Sequence, residues 1–213
     1  MSQKSRNLPK LAAALVAAAV LVVAGIYLIV GPLGKSGGGD EAGADAVPNP
    51  HYAALQAAAT GDVAAFVPAK ALKAVPDVVF QDAQGKPVKL SDFRGKTLLL
   101  NIWATWCAPC REEMPELDRL QGEMGSDAFQ VVALSVDKTG LEQARDFLQN
   151  TVKAEHLSLF NDPKASANFQ LRAVGLPTTL LVDPQGREMG RIAGPAPWDG
   201  KQAQALIRAA LGQ

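Results

Sequence analysis

The sequence predicts an α/β protein, with a central mixed β-sheet flanked by helices, an added β-hairpin before it and a transmembrane helix at the amino terminus. Three observations predict this. TLLLNIWA, residues 97–104, is an almost continuous apolar run of strand length, as expected of a strand covered on both faces. Strand-like runs and amphipathic helical stretches then alternate to the carboxyl end, in the order hairpin, βαβα, ββα. Residues 11–30, LAAALVAAAVLVVAGIYLIV, carry no charged side chain.

Residues 1–10 form a basic flank with Lys4, Arg6 and Lys10 and no acid. Residues 11–30 have the length of a bilayer crossing, since a helix of about 20 residues spans roughly 30 Å of hydrocarbon. A cleaved signal peptide is the competing reading. Its apolar core is shorter, about 7–15 residues, and the segment 27–32 is a poor cleavage site. With the basic flank retained in the cytoplasm, the rest of the chain faces outward, which in a Gram-negative cell is the periplasm. Residues 31–50, rich in Gly, Ala, Asp and Pro, read as a flexible linker. Residues 51–75 are alanine-rich and read as a helical extension broken near Thr60-Gly61-Asp62.

Residues 76–213 make the globular domain. PDVVFQDAQGKPVKL reads as the hairpin, turning at QGK. The buried strand 97–104 comes next, then a helix over 109–125 and the strand FQVVALSVD. A helix GLEQARDFLQNTV and a short helical stretch near 164–171 follow. The strands TTLLVD and REMGRIAG, joined by the turn PQG, precede a final helix KQAQALIRAALG. Pro115 falls inside the first long helix and is expected to kink it.

Basic and acidic residues balance at 21 each, so no basic field exists to hold nucleic acid. The two cysteines cannot staple a small secreted fold and, if they pair, pair with each other. They lie in WCAPCREEMP, three apart, at a strand-to-helix corner. Pro109 is tolerated in a first helical turn, where its missing amide would have been unpaired anyway. Both thiols therefore meet the positive end of the helix dipole, which favours the thiolate. Cys107, at the corner, is expected to be the exposed, attacking sulfur, and Cys110, one turn in, the resolving one. Other readings stand beside this. A CxxC can be half of a zinc site, with His51 and His156 the remaining candidates, or the two cysteines can be inert core residues.

NIWATWCAPCREEMPEL, with GLPTTLLVD downstream, resembles the thioredoxin superfamily, and more closely its membrane-anchored thiol-disulfide reductases of the TlpA and ResA type. The likeness spans residues 76–213. It implies a thioredoxin fold, the motif residues Ala108 and Pro109 between the cysteines, and a redox-active Cys107–Cys110 disulfide with no other cofactor or metal. By the same resemblance Pro177 follows a cis peptide bond and faces the cysteines. Leu176 and Pro177 then pair with an extended partner segment, and Trp106 offers a flat apolar surface beside Cys107. Trp103 is expected to pack inside. Asn101 stands where thioredoxins carry a buried aspartate, and an amide cannot shuttle a proton. Glu113 matches the glutamate of the ResA type, which opposes thiolate formation and relays the proton of Cys110. Its plainer reading is an acid favoured by the dipole in the first helical turn.

The resemblance implies a reductant of protein disulfides in the oxidising outer compartment, with a membrane thiol carrier of the DsbD or CcdA kind as electron donor. Apocytochrome c or the proteins assembling the copper site of cytochrome oxidase are the implied acceptors. The alternative is a Cu(I) chaperone using Cys107, Cys110 and His156. A peroxidase relative is disfavoured, because ATWC lacks that group's threonine spacing before its cysteine.

Overall fold

The computed structural model describes residues 46–213. The basic flank 1–10, the expected membrane span 11–30 and residues 31–45 of the expected linker lie outside these. Among the described residues no helix is long and apolar enough to cross a membrane.

Nine strands form one sheet: β1 (Val47–Pro48), β2 (Val67–Ala74), β3 (Val79–Gln81), β4 (Pro87–Lys89), β5 (Thr97–Trp103), β6 (Phe129–Ser135), β7 (Phe160–Asn161), β8 (Thr178–Val182) and β9 (Arg187–Ala193). Their order across the sheet is β1-β2-β9-β8-β5-β6-β7-β3-β4. The helices are α1 (Tyr52–Ala58), α2 (Ala108–Met124), α3 (Leu141–Asp146), α4 (Ser166–Gln170) and α5 (Lys201–Ala210).

The sheet is mixed because its central strand has unlike neighbours: β5 runs parallel to β6 and antiparallel to β8. Every residue of β5 and of β8 is buried, which accounts for their unalternating apolar sequence. Helix α2 packs Cys110, Met114, Leu117 and Leu120 inward, a spacing of three and four that lays one stripe on the sheet. Helix α5 does the same with Ala203, Leu206, Ile207 and Ala210. Burying a leucine or isoleucine in this way stabilises the fold by about 1.5–3 kcal/mol each. The hairpin β3–β4 closes as the sequence suggests. The Asp82 carboxylate accepts from the Gln84 and Lys86 amides, and Gly85 takes the positive φ of 75° that the turn requires.

Three sequence expectations are corrected. Residues 51–75 are not a helical extension. Only α1 and a single 3₁₀ turn at Gly61–Val63 are helical, and β2 runs antiparallel to β9. Alanine content reads as helix locally, but pairing with β9 and the burial of Leu72 select the extended chain. The linker 31–50 also ends early, for Val47 and Pro48 pair with Leu72 and Ala71, and Asn49 is buried with its amide on the Ala69 carbonyl at 2.8 Å. The sheet thus begins well before residue 76. Finally, the single helix expected over GLEQARDFLQNTV divides into α3 and a wider π turn, Phe147–Val152, which ends at Lys153 in the left-handed region. That turn sets the Phe147 ring 5.6 Å from Trp103, which is fully buried as expected.

The added β2 strand approaches β9 so closely that a Cβ on Gly190 would lie 2.4 Å from Phe66 Cζ and 2.7 Å from the Val67 carbonyl oxygen. Gly190→Ala should therefore cost about 1–3 kcal/mol through overpacking, read as a lower urea midpoint of the full-length chain. An unchanged midpoint would mean that β2 does not hold this place.

Candidate active site

The corner between β5 and α2 is built from its ends. Cys107 is the residue before the first turn of α2, with extended backbone (φ −88°, ψ 105°), and its sulfur accepts the Cys110 amide at 3.3 Å. Pro109 sits in that first turn, where no amide is needed. The two sulfurs are joined in a disulfide, with Cα atoms 5.3 Å apart. Cys110 is fully buried. Cys107 is 6% exposed, so the residue expected to attack is less open than the sequence suggests, although it remains the more accessible of the pair. The exposed group is its neighbour Trp106, at 69%. Ala108 is exposed and Pro109 half-buried. Arg111 projects outward, with its guanidinium 5.2 Å from the Phe147 ring centroid, a cation–π contact rather than a simply solvated side chain.

The Leu176–Pro177 peptide bond is cis, Pro177 is buried and Leu176 half-buried. The Pro177 carbonyl accepts the Gly194 amide at 2.9 Å, so the loop after β9 is tied to the proline corner. Strand β8, which starts one residue later, brings Thr179 opposite Asn101 in the sheet register.

Glu113 is not a first-turn acid, because no acidic residue occupies the first turn of α2. It lies three residues beyond Cys110, on the same helical face, and is 2% exposed. Its carboxyl group accepts three hydrogen bonds: from Asn101 Nδ2 at 2.7 Å, Trp198 Nε1 at 3.1 Å and the Ala196 amide at 3.4 Å. Burial pushes its pKa up to about 7, with those donors pulling the other way and Glu116 adding to the rise. A carboxyl group whose pKa burial raises towards neutrality thus sits one helical turn beyond Cys110, on the same buried face. Asn101, dismissed as a proton carrier, orients this group and also donates to Thr179 Oγ1 at 2.9 Å.

A second polar cluster holds the approach to Cys107. Asp137, 1% exposed, accepts from the Thr105 amide at 3.0 Å, the Thr105 hydroxyl at 2.8 Å and the Ser135 hydroxyl at 2.8 Å. It anchors the chain two residues before the nucleophile candidate. Sequence reading missed Thr105 and Asp137, although the signal was available: SVD and ATWC both follow parallel strands, and functional groups gather where such strands end. Trp198 carried no such signal, being 85 residues from Glu113.

His156 is not brought to the cysteines. A Cβ on Gly122 would lie 2.6 Å from its ring, which places the imidazole twelve residues past Cys110 along α2, roughly 18 Å by helical rise. The copper reading therefore loses its third ligand. Among the described residues no three His, Cys, Asp or Glu side chains cluster to hold a metal.

A mixed sheet, a disulfide at the head of a helix and a cis-proline strand start define a thioredoxin-like thiol-disulfide oxidoreductase. The chain belongs to the AhpC/TSA family, whose pattern it matches over residues 71–187. It is 32% identical over 124 residues to the thiol-disulfide oxidoreductase ResA of Bacillus thuringiensis subsp. konkukian, covering 57% of this chain and 69% of that one. ResA of Bacillus subtilis is 29% identical over 119 residues, covering 56% and 65%. Among solved structures, a thiol:disulfide interchange protein DsbE from Chlorobium tepidum superposes with a TM-score of 0.59 and 34% identity, over 66% of this chain and 97% of that one.

Because the Glu113 pKa is raised in the folded state, the folded protein holds this proton where the unfolded chain has released it. Stability from this group is therefore full below about pH 4.5 and declines as pH rises to about 7. The decline is on the order of 3 kcal/mol. Urea titrations of the oxidised full-length chain at pH 5 and pH 8 should show it, and Glu113→Gln should reduce the difference. Equal pH dependence in both proteins would place the carboxyl in contact with water.

Proposed function

We propose that this oxidoreductase works as a membrane-tethered, extracytoplasmic reductant of protein disulfides, with Cys107 as nucleophile, Cys110 as resolving thiol and Glu113 as proton acceptor. The cycle starts from the dithiol. The Cys107 thiolate attacks one sulfur of a partner disulfide, forming a Cys107–partner bond and releasing the partner's other sulfur as a thiolate, which takes up a proton. The Glu113 carboxylate then takes the Cys110 proton. The Cys110 thiolate attacks Cys107, the intramolecular disulfide forms, and the partner's second thiol leaves. Two electrons pass to the partner, and the protein ends oxidised.

The observation that carries the reducing direction is the buried carboxyl of Glu113, one helical turn beyond Cys110 on the inward face of α2. Dithiol proteins become strong oxidants when the reduced, thiolate form is stabilised. A carboxylate held close to the pair opposes that stabilisation. The exposed Trp106 and the half-buried Leu176, by resemblance, offer apolar surface to an extended partner segment. By resemblance, apocytochrome c or copper-site assembly proteins are the partners, and a DsbD- or CcdA-type carrier returns the electrons. The uncharged run at 11–30 supports the tether.

Equilibration with glutathione should give a potential nearer the thioredoxin value of about −270 mV than the strongly oxidising value of about −120 mV; the latter would reverse the direction. A Cys110→Ser variant expressed in its own cell should accumulate a mixed disulfide through Cys107 with its natural partner. Recovery of no reducible adduct would remove the two-thiol cycle.

A further inference from the structure

The loop after β9, residues 194–200, lies on α2 along a line of polar contacts that the disulfide itself does not require. Glu113, Glu116 and Arg119 recur every three residues on the helix, and each holds one part of the loop. Glu113 takes the Ala196 amide and the Trp198 indole N–H. Glu116 takes the Trp198 amide at 3.2 Å, and Arg119 pairs with Asp199 at 2.8 Å. Trp198 is 1% exposed, so its indole N–H has no water to satisfy it and is aimed at the Glu113 carboxyl.

We propose that Trp198 is a positioning residue for Glu113, whose indole N–H fixes the carboxyl group behind Cys110 and sets the pH range in which it accepts that thiol's proton. This rests on the relay role given to Glu113 above. The chemistry of the donors separates Trp198 from Asn101. An indole N–H can only donate, so it favours the ionised carboxylate over the acid. The Asn101 amide carries both a donor and an acceptor, and its Oδ1 is buried without a partner. Turned over, it could accept from a protonated Glu113, so it accommodates either state. In its present orientation Asn101 also favours the carboxylate, but only Trp198 is confined by its chemistry to that effect.

Few other charges face the carboxyl. Glu116 on the same helix opposes its ionisation, and Asp199 on the loop is paired with Arg119. The strands behind contribute the neutral Asn101 and Thr179. Cys110 is the thiol it serves.

The test follows the resolving step by stopped flow, mixing the reduced full-length protein with an aromatic disulfide that releases a coloured thiol, from pH 5 to 9. In the wild-type protein the second phase should rise with a midpoint set by Glu113, and Glu113→Gln should abolish that step. Trp198→Phe keeps an aromatic ring but removes the donor. Replacing Trp198 by 3-benzothienylalanine keeps the full bicyclic shape with sulfur in place of N–H, and tests the donor should the Phe variant fold poorly. Each should move the midpoint upward by about one pH unit, as expected for loss of one hydrogen bond to a charged group. A midpoint unmoved in the benzothienyl variant, with the Glu113→Gln effect intact, overturns the role of Trp198 alone. A wild-type step retained in Glu113→Gln overturns the relay and this inference together.

Discussion

Glu113 carries its carboxyl group into a packed interior, where an ionised acid without partners is strongly disfavoured. The fold meets that constraint by bringing three donors from distant parts of the chain to one point: Asn101 from the central strand, and Trp198 and the Ala196 amide from the loop after β9. Holding those donors requires β5 to be central, β8 to return antiparallel beside it, β9 to turn back antiparallel on β8, and the loop 194–200 to lie along α2. The same return brings the cis-proline corner into place, since Gly194 at the start of that loop is bonded to the Pro177 carbonyl. One buried acid therefore ties the redox helix, the central strand and the proline corner into a single unit.

The sulfur pair is held from both sides by different means. One helical turn beyond Cys110 is the buried carboxyl of Glu113. Ahead of the pair is Asp137, which has three donors from Thr105 and Ser135 and fixes the backbone that presents Trp106 and Cys107. The π turn at Phe147–Val152 adds a third support, its first residue packing on Trp103 beneath the corner and under Arg111 above it. Wide turns of this kind recur at functional sites because the extra residue redirects a side chain that a regular helix would point elsewhere. In the proposed cycle, with Cys107 only 6% exposed, a folded partner would have to present its disulfide on an extended or protruding segment.

Misreadings of the sequence share a cause. Residues 51–75 are rich in alanine, whose intrinsic preference is helical by less than 1 kcal/mol per residue over most alternatives. Eight residues of that stretch become β2 because β9 offers a paired edge and Leu72 a buried place, neither of which is adjacent in sequence. The plainer reading of Glu113, an acid favoured by the dipole in the first turn, rests on its nearness to the helix start. Once α2 is seen to start at Ala108, Glu113 falls in the second turn and faces inward.

By itself the sequence determined those features whose physics is local or periodic. These are the unalternating strand at 97–104, the hairpin turn, the amphipathic α5 and the placing of two thiols at the head of a helix through Cys107-Ala108-Pro109-Cys110. Each depends on residues within a few positions of one another, so spacing and side-chain type are enough. Tertiary structure alone decided that β1 and β2 extend the sheet, that His156 lies well away from the sulfurs, and that Asn101 and Trp198 share one carboxyl. Those outcomes depend on contacts between residues as far apart in the chain as Val67 and Arg191, where the free energy of packing and of satisfying buried polar groups outweighs local preference and leaves no spacing to read.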